Sequence, residues 1–367
     1  MTETERARDV RVDRWIVAAA MIAGLALRIA AARAPGIAFD DVGVSGPRHG
    51  GAVAFATELV AWFGTTAVLY HAGRCRAAWF ALAIGAFDPL QIVAASGTGR
   101  SSACALAGLG AFAVACGRGL PVRLAGGALV VVMPLLRIDD ALFPDPWPLA
   151  WSDDPRIGAW CAALDSFGWT ALVLASFGLV RSELGARPLI ALALAILVVR
   201  GVPARLVDGV ALAPTLVACA ALTLTAVAER SAGAARALLA LAVLTVLPSL
   251  ASDARGGLRL PVASVAARFP EPERATTTFE SPTPELFEGS GLTVRPLDLA
   301  TLPASDPGAG PARVVLIAVM NERACAAPQS VLDDVEARTA PAFEVRVPRF
   351  DLYRAEIRAY RFGAARR

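Results

Sequence analysis

Long apolar runs separated by short polar segments constrain this chain more than any other feature of its sequence. Each run approaches the roughly 20 residues that a helix needs to cross a bilayer. The composition agrees, because 56% of the 367 residues are hydrophobic and only 18% are charged. The pattern predicts a polytopic α-helical membrane protein with about nine spans. The runs lie near residues 15–32, 52–70, 77–95, 102–117, 122–136, 157–180, 187–200, 208–228 and 235–250.

The arginines between these runs predict an orientation. If the N-terminus is cytoplasmic, the inner segments hold twelve arginines, whereas the outer loops are richer in aspartate. Since positive charge favours the cytoplasmic side, we expect the inner (cytoplasmic) membrane, a cytoplasmic N-terminus and an extracytoplasmic C-terminus. The inner arginines are Arg6, Arg8, Arg11, Arg14, Arg74, Arg76, Arg118, Arg123, Arg181, Arg187, Arg230 and Arg236.

The chain changes character after residue 250, where Pro, Glu, Thr and Ser become frequent and apolar spans do not return. We predict a cytoplasmic segment at 1–14, a membrane domain at 15–250, a linker at 251–290 and a small extracytoplasmic α/β domain at 291–367. Within that domain, 313–319 reads as a buried strand and 329–338 as a short helix. The alternation from Tyr353 onward reads as a further strand.

The pattern of charged and metal-binding residues limits which classes of partner and cofactor the chain is expected to bind. A net charge of +3 without a basic run gives no support to a nucleic-acid partner. The six cysteines are scattered without CxxC spacing. His49 and His71 fall on opposite sides of the membrane in this topology, so no two-histidine metal site is predicted. A divalent ion held by aspartates stays open.

Ionisable residues inside the predicted spans point to a polar cavity. Arg28, Glu58, Asp88 and Asp165 each fall five to eight residues from the outer end of a span, about 10 Å deep. A charge at that depth is costly unless it is paired or faces water, so one cavity open to the outside is predicted, and His49 is counted among the residues that line it. Pairing of Arg28 with one acid as a packing device is the structural alternative.

The first outer loop carries the candidate catalytic residues. Asp40 and Asp41 follow the first span, and Arg48 and His49 arrive a few residues later. Adjacent carboxylates at a membrane face can act as a general base, although acidic residues in a solvated loop have the same appearance.

Several segments together resemble the membrane-embedded glycosyltransferases of the GT-C fold, the group of protein O-mannosyltransferases and polyprenyl-phosphate-dependent bacterial enzymes. That resemblance implies an acidic pair after a Leu-Arg helix end, a basic inner turn, a proline-interrupted third span and an arginine opening the fourth. The matching segments are Gly24-Leu-Ala-Leu-Arg28, Phe39-Asp40-Asp41, Leu69-Tyr-His-Ala-Gly-Arg-Cys-Arg76, Phe87-Asp-Pro-Leu-Gln91 and Gly99-Arg100-Ser-Ser.

The resemblance implies transfer of a sugar from a polyprenyl-phosphate-linked donor to a glycan, lipid or protein acceptor at the outer face. Asp40 or Asp41 would be the base of an inverting attack, and Arg100 and Arg48 would bind the donor phosphate. The chain departs from the family in its short loop after Asp41 and in lacking an acid beside Arg100. The alternatives are therefore an inactive binding or assembly partner of the same fold, or a transporter that uses intramembrane carboxylates.

Overall fold

A computed structural model describes most residues of the chain. These are residues 3–33, 51–94, 99–136, 167–181, 184–198, 206–254, 262–287, 291–302, 312–320, 323–324, 327–346 and 355–362.

The chain folds into two compact units. The first is a helical unit that contains α1 to α10: Glu3–Arg33, Gly51–His71, Cys75–Ala86, Pro89–Ala94, Gly99–Cys116, Leu120–Leu136, Trp169–Arg181, Arg187–Val198, Ala213–Arg230 and Ala232–Ala254. The second, the sheet unit, contains α11 to α13 at Val262–Ala267, Glu271–Thr276 and Gln329–Glu336. Its strands β1 to β6 are Thr278–Ser281, Val294–Pro296, Arg313–Met320, Arg323–Ala324, Pro341–Arg346 and Ala355–Phe362.

The prediction of a polytopic protein with about nine spans is wrong. Among the described residues, one helical stretch, Gly209–Arg230, is long and apolar enough to cross a membrane, and 78% of its apolar segment is buried inside the unit. Apolar stretches of other described helices are shorter, at 10–17 residues. For example, α7 has 13 residues and α8 has 12, about 20 Å and 18 Å against a hydrocarbon core of about 30 Å.

The break between α3 and α4 shows why the apolar runs overstated the spans. The run near 77–95 contains Asp88 and Pro89, and α3 ends just before them at Ala86. Proline lacks a backbone N–H and disfavours helical geometry in the preceding residue. Asp88 then accepts the backbone N–H of Leu90 at 3.0 Å, which starts α4 as a separate six-residue helix. Mean hydropathy over a window does not register such a break.

Helices of the first unit pack through small residues. A Cβ added at Gly24 would lie 2.6 Å from the carbonyl oxygen of Ala86, so α1 and α3 touch backbone to backbone. A Cβ added at Gly178 of α7 would lie even closer to the carbonyl oxygen of Cys219 in α9. Close helix contact through Gly and Ala is typical of helices that do not rely on large interdigitating side chains.

The sheet unit is a mixed sheet with strand order β2–β1–β3–β6–β5, and the short β4 pairs with β3. The β1–β2 and β1–β3 pairs are parallel, whereas β3–β6 and β5–β6 are antiparallel. Strand β3 contains the continuous apolar run 314–319, which is buried in the centre of the sheet, as a strand covered on both faces should be.

Helix α13 covers one face of this sheet. Its Leu332 and Val335 are fully buried against β3 and β6. On the opposite face, Phe269 contacts the rings of Phe279 and Phe343 at centroid distances of 4.9 and 5.4 Å. The strand and helix predicted at 313–319 and 329–338 thus coincide with β3 and α13.

Candidate functional site

A buried ion pair links the first two helices. Arg28 of α1 donates from Nε to Glu58 Oε2 at 2.5 Å and from Nη2 to Glu58 Oε1 at 2.9 Å. The exposed fractions of the two residues are 0% and 1%. The two parallel hydrogen bonds fix the orientation of α2 against α1 as well as their separation.

Backbone carbonyls take the remaining donors of Arg28. Nη1 donates to Ala86 O at 2.9 Å and to Gly24 O at 3.2 Å, and Nη2 donates to Gly85 O at 2.6 Å. Gly85 and Ala86 form the carboxyl end of α3, where the helix dipole favours a cation. All five guanidinium donors therefore have acceptors within the protein, and through them Arg28 connects α1 to α2 and α3.

An aromatic ring closes the remaining side of the guanidinium. Cζ of Arg28 lies 4.2 Å from the ring centroid of Trp62, within range of a cation–π interaction. Trp62 is held in place because its Nε1 donates to Leu82 O at 3.0 Å. Gly85 permits this contact, since a Cβ there would lie 2.6 Å from the indole.

Asp88 lies beside this ion pair and is incompletely satisfied. It is 2% exposed, and its Oδ1 accepts the backbone N–H of Leu90. Neither Asp88 Oδ2 nor Nε2 of the neighbouring Gln91 has a hydrogen-bond partner among the described residues. Asp88 also borders a cavity of about 10 Å³ between α3, α7 and α10, close to the minimum that holds one water molecule.

Most of the predicted site residues fall outside the described residues. This applies to Asp40, Asp41, Arg48, His49 and Asp165. Arg100 is the second residue of α5, but its side chain is not described. Of the predicted cavity-lining set, the structure brings Arg28 and Glu58 into contact with each other in the interior, with Asp88 nearby.

Sequence reasoning missed two neighbours of Arg28, namely Trp62 and Gln91, whose Oε1 lies 3.5 Å from Nη2 of Arg28. A signal existed for both, because Trp62 is four residues after Glu58 and Gln91 is three residues after Asp88, spacings that place side chains on one helix face. No signal marked the carbonyls of Gly85 and Ala86, since the backbone is the same in every residue.

A second polar cluster lies in the sheet unit. Arg358 of β6 is buried and donates to Glu336 of α13 at 2.9 Å and to Glu356 at 2.7 Å. Tyr360 also donates to Glu336, at 2.8 Å. Burial and this hydrogen bond to the carboxylate raise the pKa of Tyr360. The cluster ties α13 to the sheet, so its geometry is that of a structural network.

Neither a search for groups of metal-binding side chains nor comparison with known proteins identifies a functional site. Within the part of the chain that the structure describes, no three His, Cys, Asp or Glu residues are grouped to hold a metal ion. Comparison with protein-family models, curated proteins and solved structures finds no match to this chain.

Proposed function

We propose that the protein is a membrane-bound transferase that takes a sugar from a polyprenyl-phosphate-linked donor at the inner (cytoplasmic) membrane of a bacterial cell envelope. The acceptor is a glycan, lipid or protein. The observation that carries the proposal is the buried Arg28–Glu58 pair, because it joins the two helices whose connecting segment contains Asp40 and Asp41.

The surface of the helical unit supports a lipid environment. All large apolar side chains that are strongly exposed among the described residues lie between Trp15 and Leu247, in the helical unit. Ile22 and Leu197 are each 72% exposed, whereas alanines dominate the buried positions. A water-facing surface of this kind would be unfavourable, and contact with lipid removes the cost.

The position of the ion pair supports a role next to the proposed catalytic segment. Arg28 is five residues before the end of α1 at Arg33, and Glu58 is seven residues after the start of α2 at Gly51. The pair therefore lies about 8–10 Å along each helix from the segment that holds Asp40 and Asp41. A catalytic loop needs rigid supports of this kind, because small displacements of a base reduce the rate strongly.

The proposed chemistry is an inverting substitution. One of Asp40 and Asp41 accepts the proton of an acceptor hydroxyl as its oxygen forms a bond to the anomeric carbon of the sugar. The bond from that carbon to the phosphate oxygen breaks, and polyprenyl phosphate leaves with the electron pair. Arg100 and Arg48 bind the departing phosphate. Arg28 and Glu58 act as positioning residues only.

The test measures polyprenyl phosphate released from synthetic polyprenyl-phosphate mannose, glucose and galactose by native membranes that contain the full chain. We expect Asp40→Asn or Asp41→Asn to reduce release about 10²- to 10⁴-fold, the usual contribution of a general base. Asp334→Asn is the matched control, because Asp334 is exposed on α13 in the sheet unit. Release at the wild-type rate by the double variant Asp40→Asn/Asp41→Asn would refute the assignment.

A further inference from the structure

Arginines at one end of the helical unit line two neighbouring cavities. The larger, here called the amphiphilic cavity, has a volume of about 960 Å³ and includes Arg74, Arg76, Arg181 and Arg230, with Glu229 as its acidic residue. The smaller, called the basic cavity, has a volume of about 550 Å³. None of its described lining residues is acidic, and its arginines are Arg74, Arg118, Arg123 and Arg187.

Tight turns bring these arginines together. Residues 72–74 join α2 to α3 through Gly73, which adopts a φ of 81° that favours glycine. Residues 117–119 join α5 to α6 through Gly119, with a φ of 86°. Because the connections are so short, the helix ends stay close and their arginines share one region of the unit.

Helix dipoles explain some of these arginines and not others. Arg181 and Arg230 lie in the last turns of α7 and α9, where a cation is favourable. Arg76 and Arg187 instead lie in the first turns of α3 and α8, and neither first turn contains an acidic residue. The positive end of a helix favours an anion, so these two arginines add charge where an external anion would be stabilising.

The amphiphilic cavity also has an apolar wall. It is formed by side chains of α7, α9 and α10, and Val173 and Phe177 are 52% and 57% exposed. The volume lies at the upper end of the range for small-molecule sites, which suits a ligand with an extended apolar part. The wall residues are Val173, Leu174, Phe177, Leu222, Ala226 and Leu238.

We propose that the amphiphilic cavity binds a lipid with a phosphate headgroup. The phosphate lies among Arg74, Arg76, Arg181 and Arg230, and the apolar chain lies along the wall. Arginine suits this role because its guanidinium binds two phosphate oxygens at once. Charge complementarity identifies the ligand as an anionic lipid, because the described lining sets these four arginines against the single carboxylate of Glu229.

This site is distinct from the proposed transferase site. Glu58 lies thirteen residues before His71 in α2, and the amphiphilic cavity begins at Gly73 beyond that end of the helix. The two regions are therefore about 20 Å apart along the helix axis. Lipid binding here needs neither Asp40 nor Asp41, so this proposal and the transferase proposal can fail independently.

Native mass spectrometry of the full chain, released from an uncharged detergent, tests the proposal with dodecyl phosphate as the probe. We expect one dodecyl phosphate to be retained, and Arg181→Gln/Arg230→Gln to weaken its binding by at least about tenfold, the effect of losing charge-assisted hydrogen bonds. Phe177→Ser should weaken binding several-fold. Glu229→Gln should strengthen it, because a carboxylate next to the phosphate is removed, and misfolding would not produce that gain.

Two controls separate the lipid from other ligands. Arg236→Gln removes a positive charge from α10 outside the lining residues and should leave binding unchanged. Inorganic phosphate and dodecyl maltoside test the headgroup and the chain separately, and both should bind far more weakly. Equal binding of inorganic phosphate would overturn the proposal in favour of a simple anion site. Equal binding of dodecyl maltoside, or unchanged binding in the arginine variant, would show that the arginines serve only the helix ends.

Discussion

Breaking the Arg28–Glu58 pair should destabilise the helical unit strongly and asymmetrically. Both residues are fully buried, and removing one member of such a pair typically costs about 3–5 kcal/mol because the other charge stays behind without its partner. The residual partners differ between the two residues. Without Glu58, Arg28 still donates to the carbonyls of Gly24, Gly85 and Ala86.

Glu58→Gln should therefore cost about 3 kcal/mol, near the lower end of that range. Arg28→Met should cost about 5 kcal/mol, because it leaves the Glu58 carboxylate buried without the guanidinium and also releases the carbonyls at the end of α3. The double variant Arg28→Met/Glu58→Gln buries no charge. We expect its loss of unfolding free energy to be about 2–3 kcal/mol smaller than the summed losses of the two single variants, because residues in direct contact are coupled by about this much.

Equilibrium unfolding of the purified chain in mixed detergent micelles, followed by far-ultraviolet circular dichroism, measures these free energies. Glu229→Gln is the matched control, because it makes the same substitution at an exposed glutamate of α9 and should change stability by less than about 0.5 kcal/mol. Additive effects of the two single variants would refute the reasoning. So would a Glu58→Gln variant as stable as the control.

Three further predictions concern packing and hydrogen bonds. Gly178→Ala should destabilise the helical unit by about 1–3 kcal/mol in the same unfolding assay, because its Cβ would overlap the carbonyl oxygen of Cys219. Gly127→Ala should instead stabilise α6 by about 0.5–1 kcal/mol, because a Cβ at Gly127 would meet no atom within 4 Å. Asp88→Asn keeps the acceptor that starts α4 and should change stability by less than about 1 kcal/mol, while Asp88→Ala should lose about 1 kcal/mol; equal losses would contradict the capping role. Tyr360→Phe should cost the sheet unit about 1 kcal/mol and speed amide exchange in α13, and unchanged exchange would contradict its hydrogen bond to that helix.

Local patterns in the sequence predicted local structure well in the sheet unit. The apolar run at 313–319 has no helical period and became β3, and the spacing of Val331, Leu332 and Val335 became α13. Strand β6 follows the predicted alternation, yet its polar residues Glu356 and Arg358 are buried. Their burial depends on α13 packing over that face, which no short-range pattern encodes.

In the helical unit, composition misled the count of spans because mean hydropathy does not register helix breaks such as the one at Asp88 and Pro89. The charged residues were more informative. The number of residues between Arg28 or Glu58 and the outer end of its apolar run predicted a similar depth for the two side chains. The structure brings them into contact. The sequence could not reveal that Arg28 would donate hydrogen bonds to the carbonyls of Gly85 and Ala86, because those contacts depend on where and how α3 ends.

The most direct test of the whole account asks whether the large apolar side chains of the helical unit face lipid. Spin labels would be placed at Ile22→Cys and Leu244→Cys, which are 72% and 60% exposed, in a chain with its native cysteines replaced and reconstituted into vesicles. Ala275→Cys, exposed in the sheet unit, is the control. We expect the labels at 22 and 244 to collide mainly with oxygen, which partitions into lipid, and the control mainly with a water-soluble nickel complex. Nickel accessibility at 22 and 244 equal to that at 275 would contradict the account.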